Sequence, residues 1–130
     1  MSAFSDALSV SSSGLRAQAE RLRVVSENIA NVDTPGYRRK TLPFEPGEGR
    51  DGVRNVQAGD TRLDRSDLER IWDPQHPLAD PAGFYDGTNV DLIVELADAR
   101  EAQRSYEANL KMFEQTRQMS SNLMDLLRRG

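Results

Sequence analysis

The sequence predicts a mainly α-helical protein in which two long helices, one toward each end, are joined by a short irregular or β-hairpin insert. Apolar residues recur at helical spacing over residues 4–30, and a second helical pattern fills the last third of the chain. Between the two patterns the periodicity disappears, and this interval holds all six prolines of the 130-residue chain. We therefore predict an N-terminal helix over residues 1–33, an insert over 34–88 and a C-terminal helix over 89–130.

The N-terminal helix is indicated by apolar residues seven positions apart, which form a narrow seam along one side of a helix. This N-terminal seam consists of Leu8, Leu15, Leu22 and Ile29. Small residues beside it, such as Ser13, Gly14 and Ala17, would let another helix approach closely. Because serine and glycine are poor helix formers, we expect the first turns to be weakly helical when nothing packs on them.

The C-terminal helix is indicated by a longer pattern that advances in steps of four and three residues, a spacing typical of one strand of a coiled coil. At ~1.5 Å per residue, some forty residues would reach about 60 Å, which is too long for a compact globule of this size. Thr88 and Asp91 have the spacing of an N-terminal cap. The C-terminal seam consists of Leu92, Leu96, Tyr106, Leu110, Phe113, Leu123 and Leu127.

The insert contains three short candidate strands, over residues 39–44, 53–57 and 68–73. Pro43 interrupts the first of them. We expect hairpins or extended loops here. Residues 42–67 match no motif, so the sequence leaves open whether this part is a sheet or a loop.

The charge balance argues against a nucleic-acid partner. The chain has 21 acidic and 17 basic residues, whereas phosphate binding calls for a concentrated basic face. Its basic run, Arg38 to Lys40, is interpreted as a solvated loop edge, with contacts to acidic neighbours as the alternative. The absence of cysteine excludes disulfides, thiolate metal sites and cysteine nucleophiles. With no apolar run approaching ~18 residues and no leader-like N-terminus, we expect neither a membrane span nor a cleaved signal peptide.

Catalytic chemistry would have to be built around the single histidine, His76, which lies between Asp73 and Asp80 and beside Pro74 and Pro77. A histidine with two carboxylates could bind a metal, but zinc sites usually need at least three protein ligands, and a lone histidine between prolines is more often a turn residue. A Ser-His-Asp triad would need the same histidine, and no glycine-rich phosphate loop is present. We predict no catalytic, metal or cofactor site and no small-molecule substrate.

The end of the N-terminal helix is richer in polar and turn-forming residues than an ordinary helix end requires. The side chains of Asn28 and Asn31 could bond the carbonyl groups that a helix end leaves unpaired. Pro35 has no N–H group, and Gly36 permits positive φ, so the helix should stop here. Tyr37 offers an apolar ring with a hydrogen-bonding tip that could fix the direction in which the chain leaves the helix.

This segment resembles the N-terminal signature of bacterial flagellar rod and hook proteins. The last third resembles the closing helix of the same family. The short insert resembles that of the proximal rod members. The matching signature residues are Ser26, Asn28, Ala30, Asn31, Thr34, Gly36 and Tyr37. The closing helix matches at Asn89-Val90-Asp91, Ser105-Tyr106 and Ala108-Asn109. The matching insert residues are Trp72, Asp73, Pro74, His76, Pro77, Ala79 and Asp80.

The resemblance implies an axial structural subunit and not an enzyme. In such proteins the terminal helices pair as a coiled coil, and many copies pack around a central channel in a tube that transmits motor torque. The implied partners are other rod proteins, copies of the same chain and the flagellar type III export apparatus. The implied location is the periplasmic rod of the basal body. Residues of both seams would then face helices of the same or neighbouring subunits, while the signature residues would set the angle at which the chain leaves the helical layer.

Two other classes remain open at this stage. A cytosolic coiled-coil adaptor would use the same seams but would not need the asparagine-rich turn or the proline-bounded His76 segment. An export chaperone would fit the length and acidity but usually stays in the cytoplasm. A small hydrolase is the least supported, because His76 has no second catalytic partner.

Overall fold

A computed structural model describes residues 2–49 and 52–129 and contains two long helices packed against each other. Helix α1 spans Ser2–Ala30 and helix α2 spans Leu92–Arg129. The predicted arrangement of two long helices joined by a hairpin-containing insert is confirmed. The strands of the described insert are β1 (Lys40–Thr41), β2 (Phe44–Glu48), β3 (Arg54–Ala58), β4 (Arg62–Leu63), β5 (Arg70–Trp72) and β6 (Phe84–Asp86).

The two helices run antiparallel. Gly14 of α1 lies against Asn109 of α2, and Asn28 of α1 donates a hydrogen bond to Glu95 of α2. A step toward the C-terminus of α1 therefore corresponds to a step of the same number of residues toward the N-terminus of α2. In this register residues 122–129 of α2 extend past Ser2, a distance of about 12 Å at ~1.5 Å per residue.

The apolar core between the helices is thin. The buried apolar side chains of the described residues are small or β-branched, and each is at most 3% exposed. The closest approach occurs at Gly14, where an added Cβ atom would lie 2.6 Å from the side-chain oxygen of Asn109. A larger residue at this position would require the Asn109 side chain to move. The buried apolar residues are Ala17, Val24, Val25 and Ala102.

The two predicted seams are divided between two environments. Polar or small residues of α2, at Glu95, Ala102 and Asn109, lie on the side that faces α1. Periodicity of apolar residues could not identify this face. The half-buried seam residues are Leu8, Leu15, Leu22, Ile29, Tyr106 and Phe113. The exposed seam residues are Leu92, Leu96, Leu110, Leu123 and Leu127.

Helix α2 begins at Leu92, directly after Asp91, whereas the sequence predicted a start at residue 89. The carboxylate of Asp91 accepts a hydrogen bond from the backbone N–H of Ile93 (3.1 Å), which is the geometry of an N-cap. Thr88 takes no part in this cap, so that element of the prediction is wrong. Its hydroxyl instead donates to the carbonyl oxygen of Val32 (2.9 Å), because the chain at the start of α2 packs beside the end of α1. The predicted C-terminal residue of the helix, Gly130, lies outside the described residues.

The described part of the insert consists of three antiparallel two-stranded ladders, β1 with β4, β2 with β3 and β5 with β6. The β2–β3 hairpin packs on α1, where the backbone N–H of Val56 donates to the hydroxyl of Ser13 (3.2 Å). Strand β2 was not anticipated because it contains Pro46 and Gly47. A two-stranded ladder tolerates this proline because every strand is an edge strand. Of the candidate strand over 39–44, Lys40 and Thr41 form β1, which ends before Pro43, and Phe44 begins β2.

No helix among the described residues combines the length and apolar character needed to cross a bilayer.

Candidate functional site

The side chain of Asn28 is the centre of the signature segment, and it is only 1% exposed. Its amide nitrogen donates to the carbonyl oxygen of Lys40 (2.9 Å) and to the carboxylate of Glu95 (3.3 Å). Its oxygen accepts from the backbone N–H of Lys40 (2.9 Å) and from the hydroxyl of Tyr37 (2.8 Å). Both donors and both acceptor positions are therefore used. The predicted role of Asn28 in capping α1 is wrong, since its amide binds β1 and α2.

Glu95 places a carboxylate inside the contact between α1, α2 and β1. Glu95 is 0% exposed. One of its carboxylate oxygens accepts a hydrogen bond from the amide of Asn28, and the other accepts one from the guanidinium of Arg39. Burying a carboxylate lowers the stability of a fold unless the group is paired and hydrogen-bonded. Burial by itself lowers the pKa of Arg39, but the hydrogen bond and charge of Glu95 outweigh burial and raise it. The guanidinium therefore remains positively charged beside the carboxylate.

The basic run at residues 38–40 is bonded within the chain. The interpretation as a solvated loop edge is wrong, because folding brings acidic side chains of both helices to this segment. Sequence spacing gives no sign of these long-range partners. The bonds join Arg39 to Glu95 and Asp64, Lys40 to Glu27, and Arg38 to the carbonyl oxygens of Asp64 and Ser66.

The turn after α1 is closed by Asn31 and Thr34. The amide of Asn31 donates to the carbonyl oxygen of Glu27 (2.8 Å), so this asparagine does cap the helix. The hydroxyl of Thr34 donates to the side-chain oxygen of Asn31 (3.1 Å). Ser26 and Ala30, the other signature residues on α1, are exposed.

Gly36 connects this turn to the β5–β6 hairpin. Its φ is +79°, in the left-handed region that favours glycine. Its backbone N–H donates to the carbonyl oxygens of Asp86 (3.2 Å) and Gly87 (3.0 Å). The signature turn thus fixes both the end of α1 and the position of the hairpin.

Two residues of this network, Glu95 and Asn89, were not selected from the sequence as site residues. The side-chain oxygen of Asn89 accepts from the backbone N–H of Arg39 (2.6 Å), and its amide donates to the carbonyl oxygen of Asp64 (3.0 Å). The sequence signal for Glu95 was its position seven residues before Ala102, which places both residues on the face of α2 that packs on α1. The periodicity of apolar residues gives no indication of such a residue.

The insert motif forms the loop that joins β5 to β6. Asp80 organises it, because one carboxylate oxygen accepts from the backbone N–H groups of Ala82 (3.0 Å) and Phe84 (2.9 Å). The other oxygen accepts from the guanidinium of Arg70 (2.7 Å). The loop is therefore held by its own polar contacts.

His76 is a structural member of this loop. Its ring stacks on Tyr85 with centroids 3.8 Å apart, and its Nδ1 accepts from the backbone N–H of Leu78 (3.1 Å). The carboxylate of Asp73 accepts from the backbone N–H of Gln75 (3.3 Å), and Trp72 is 65% exposed. Within residues 2–49 and 52–129, no three His, Cys, Asp or Glu side chains are placed to hold a metal ion. Pro74 and Pro77 flank the histidine at exposed positions.

Replacing Asn28 by alanine should lower the free energy of unfolding by about 2–4 kcal/mol, because Lys40, Tyr37 and Glu95 would each lose a buried hydrogen-bond partner. Urea denaturation followed by circular dichroism measures this change. The matched control is Ser26→Ala, at an exposed position of the same helix, and it should change the value by less than about 0.5 kcal/mol. Equal effects of the two substitutions would contradict the assignment of Asn28 as the centre of the network.

Replacing Gly36 by valine should destabilise the fold by about 1–2 kcal/mol, because a β-branched residue strongly disfavours positive φ. No atom lies within 4 Å of an added Cβ, so the effect comes from the backbone and not from crowding. The control is Gly36→Asn, since asparagine tolerates the left-handed region better. Thermal unfolding should place the asparagine variant between the wild type and the valine variant. A valine variant as stable as the asparagine variant would refute a backbone constraint.

The β5–β6 loop should lose stability in acid. Hydrogen bonds from the Phe84 backbone and then from Arg70 lower the pKa of Asp80 below its ordinary value of 3.8. A carboxylate with a lowered folded-state pKa contributes stability above its unfolded pKa and loses it as the pH falls through the folded pKa. In a carbon-detected NMR titration, Asp80 should protonate below pH 3.8, and Asp80→Asn should remove part of the acid sensitivity of the loop signals. The control Asp73→Asn, at a carboxylate that accepts one longer bond from Gln75, should change the loop signals less than Asp80→Asn does; the reverse order would contradict this account.

Comparison with known proteins gives two family matches and a set of relatives. The family "Flagella basal body rod protein" matches residues 8–38, and "Flagellar basal body rod FlgEFG protein C-terminal" matches residues 82–126. These are the segments that meet at Asn28 and Glu95. Relatives named flagellar basal-body rod protein FlgC include that of Agrobacterium fabrum, 44% identical over 98% of both chains. The Bacillus subtilis protein is 32% identical over 97% of this chain and 99% of its own length. The Salmonella typhimurium protein is 29% identical over 90% and 92%. The chain therefore belongs to the family of the flagellar basal-body rod protein FlgC.

Proposed function

We propose that this chain is a structural subunit of the flagellar basal-body rod. The observation that carries this proposal is its similarity to the Agrobacterium fabrum rod protein over 98% of both chains. A match of this extent includes the insert as well as the two helices. It favours the rod function over a cytosolic coiled-coil adaptor or an export chaperone, for which a likeness limited to the helices would suffice. No enzymatic activity is part of the proposal.

The exposed face of α2 supports assembly with other subunits. Its C-terminal seam is joined by further exposed apolar side chains, among them Ile93 at 79% and Leu126 at 65%. Monomeric proteins rarely leave so long an apolar strip in contact with water. We place helices of other rod proteins and of further copies of this chain against it, packed as in a coiled coil. The half-buried N-terminal seam would contribute from the neighbouring face.

The thin core also supports assembly with other subunits. Among the described residues, the buried apolar side chains are two alanines and two valines, which is little for two helices of 29 and 38 residues. Burial of apolar area supplies most of the free energy that stabilises a fold. Packing in the rod would supply the missing area. The assembled state should therefore be much more stable than the isolated subunit.

The same features suit export through the flagellar type III apparatus, without a cleaved signal peptide, to the periplasmic part of the basal body. A chain with a small core unfolds at low cost and can gain order when it meets its neighbours. Serine and Gly14 in the early turns of α1 reduce its helical preference in isolation. The signature residues would then set the angle between the helical layer and the insert, so that the tube can transmit motor torque.

Substituting Leu123 and Leu127 by aspartate should abolish motility while leaving the isolated subunit folded. These side chains are 37% and 66% exposed, so charge there disrupts contacts with neighbours more than the subunit itself. The double variant should fail to restore swimming in soft agar to a strain lacking the wild-type gene, and purified basal bodies should lack it. Circular dichroism of the isolated variant should match the wild type.

The control for this experiment is the double variant Gln103→Asp and Gln115→Asp, which adds the same charge at exposed polar positions of α2. It should restore swimming. Normal assembly of the leucine variant would remove the proposed packing of the C-terminal seam on neighbouring subunits.

A further inference from the structure

The contact between α1 and α2 contains three layers, spaced seven residues apart along α1, and the layers differ in chemistry. One is a buried amide with a buried carboxylate, the next is an ion-pair layer, and the third is a steric contact at a glycine. The layers are Asn28 with Glu95, Arg21 with Asp98 and Glu101, and Gly14 with Asn109.

We infer that these three layers specify the register of the antiparallel helix pair. The apolar seams cannot do so alone, because their residues also recur every seven positions. A slip of seven residues would replace Leu15 by Leu22, or Tyr106 by Phe113, with little change in apolar contact. Coiled coils face the same ambiguity, and a single buried polar residue can resolve it.

A slip in one direction separates the buried polar pair. Asn28 would face Ala102, and Glu95 would move beyond the end of α1. The amide of Asn28 would then lose a partner, and Arg39 would lose the carboxylate to which it is bonded. Each unpaired buried polar or charged group opposes this register. In addition, Asn109 would face Arg21 instead of a glycine.

A slip in the other direction also removes the native contacts of Asn28, and it crowds the side chain of Asn109. Asn109 would face Ala7, whereas in the native contact even a single added Cβ at Gly14 would lie 2.6 Å from its oxygen. Asn28 would lie opposite residue 88, before α2 begins, and would again lose Glu95. Arg21 would face Glu95 in place of Glu101, so in this direction the slip is opposed by the lost amide contact and by the crowding of Asn109, and not by the ion pairs. The native register alone satisfies all three layers.

The insert is coupled to this choice. Arg39 lies beside β1, and Lys40 within β1 bonds Asn28 through both its backbone groups. The strand can dock on Asn28 and Glu95 together only when these two residues face each other. The register also fixes how far residues 122–129 of α2 extend past Ser2.

Spin labels can test the register directly, because the chain has no native cysteine. We would label Ala19→Cys on α1 and Glu114→Cys on α2, two exposed positions offset by about 15 Å along the helix axis. Pulsed electron–electron double resonance on the full chain should give a single distance between the two labels. The variant with Asn28→Leu and Glu95→Leu keeps the layer buried but removes its polarity, and it should add a second population in which the axial offset has shifted by about 10 Å.

A second layer variant, Gly14→Ala with Asn109→Ala, removes the steric contact and should add the same second population. If the leucine variant loses its helical circular dichroism signal, this second layer variant tests the inference in its place. The control is Leu22→Met with Phe113→Leu, which alters the apolar seams at similar volume and should keep one distance. A second population in either layer variant supports the inference. A single unshifted distance in every helical layer variant would overturn it, and this result does not depend on rod assembly or motility.

Discussion

The rest of the structure depends on one buried carboxylate. Glu95 is inaccessible to water and receives its hydrogen bonds from Asn28 on α1 and from Arg39 beside β1. Leaving such a group unpaired costs several kcal/mol, so the folded chain needs all three elements in place together. Neither helix pairing nor docking of the insert is complete without the other. The polar contact therefore couples two parts of the chain that have little apolar area in common.

This arrangement reverses the usual distribution of polar and apolar residues in a small protein. Polar and small side chains form the contact between the helices, while many leucines of α2 face outward. In an isolated subunit, the outward leucines leave apolar area in contact with water, where it does not stabilise the fold. In the proposed tube this distribution would separate two tasks, because directional polar bonds would define the shape of each subunit and non-directional apolar packing would join the subunits.

The sequence predicts the parts of this structure that depend on local chemistry. Helical periodicity locates α1 and α2, and the Pro35-Gly36 pair locates the turn, because each acts on neighbouring residues. The role of Asn28 could not be predicted, since its partners at Lys40 and Glu95 become neighbours only after the helices pair. The same reason applies to the basic run. Strand β2 was missed for a different reason, because the unfavourable residues it contains are tolerated in a hairpin with two open edges.

The proposed assembly into a rod requires copies of identical shape, and this requirement would account for a polar contact where an apolar one would be more stabilising. Replacing buried ion pairs by apolar residues often increases stability, so Glu95 and Arg39 are not the most stable choice for this position. An entirely apolar contact with a seven-residue repeat would, however, accept more than one register. Subunits in different registers would carry ends of α2 of different reach and could not fit equivalent places in a helical array. In the proposed rod, stability lost within the subunit would be recovered when neighbours bury its outward leucines, whereas a mixture of registers would leave copies of unequal shape.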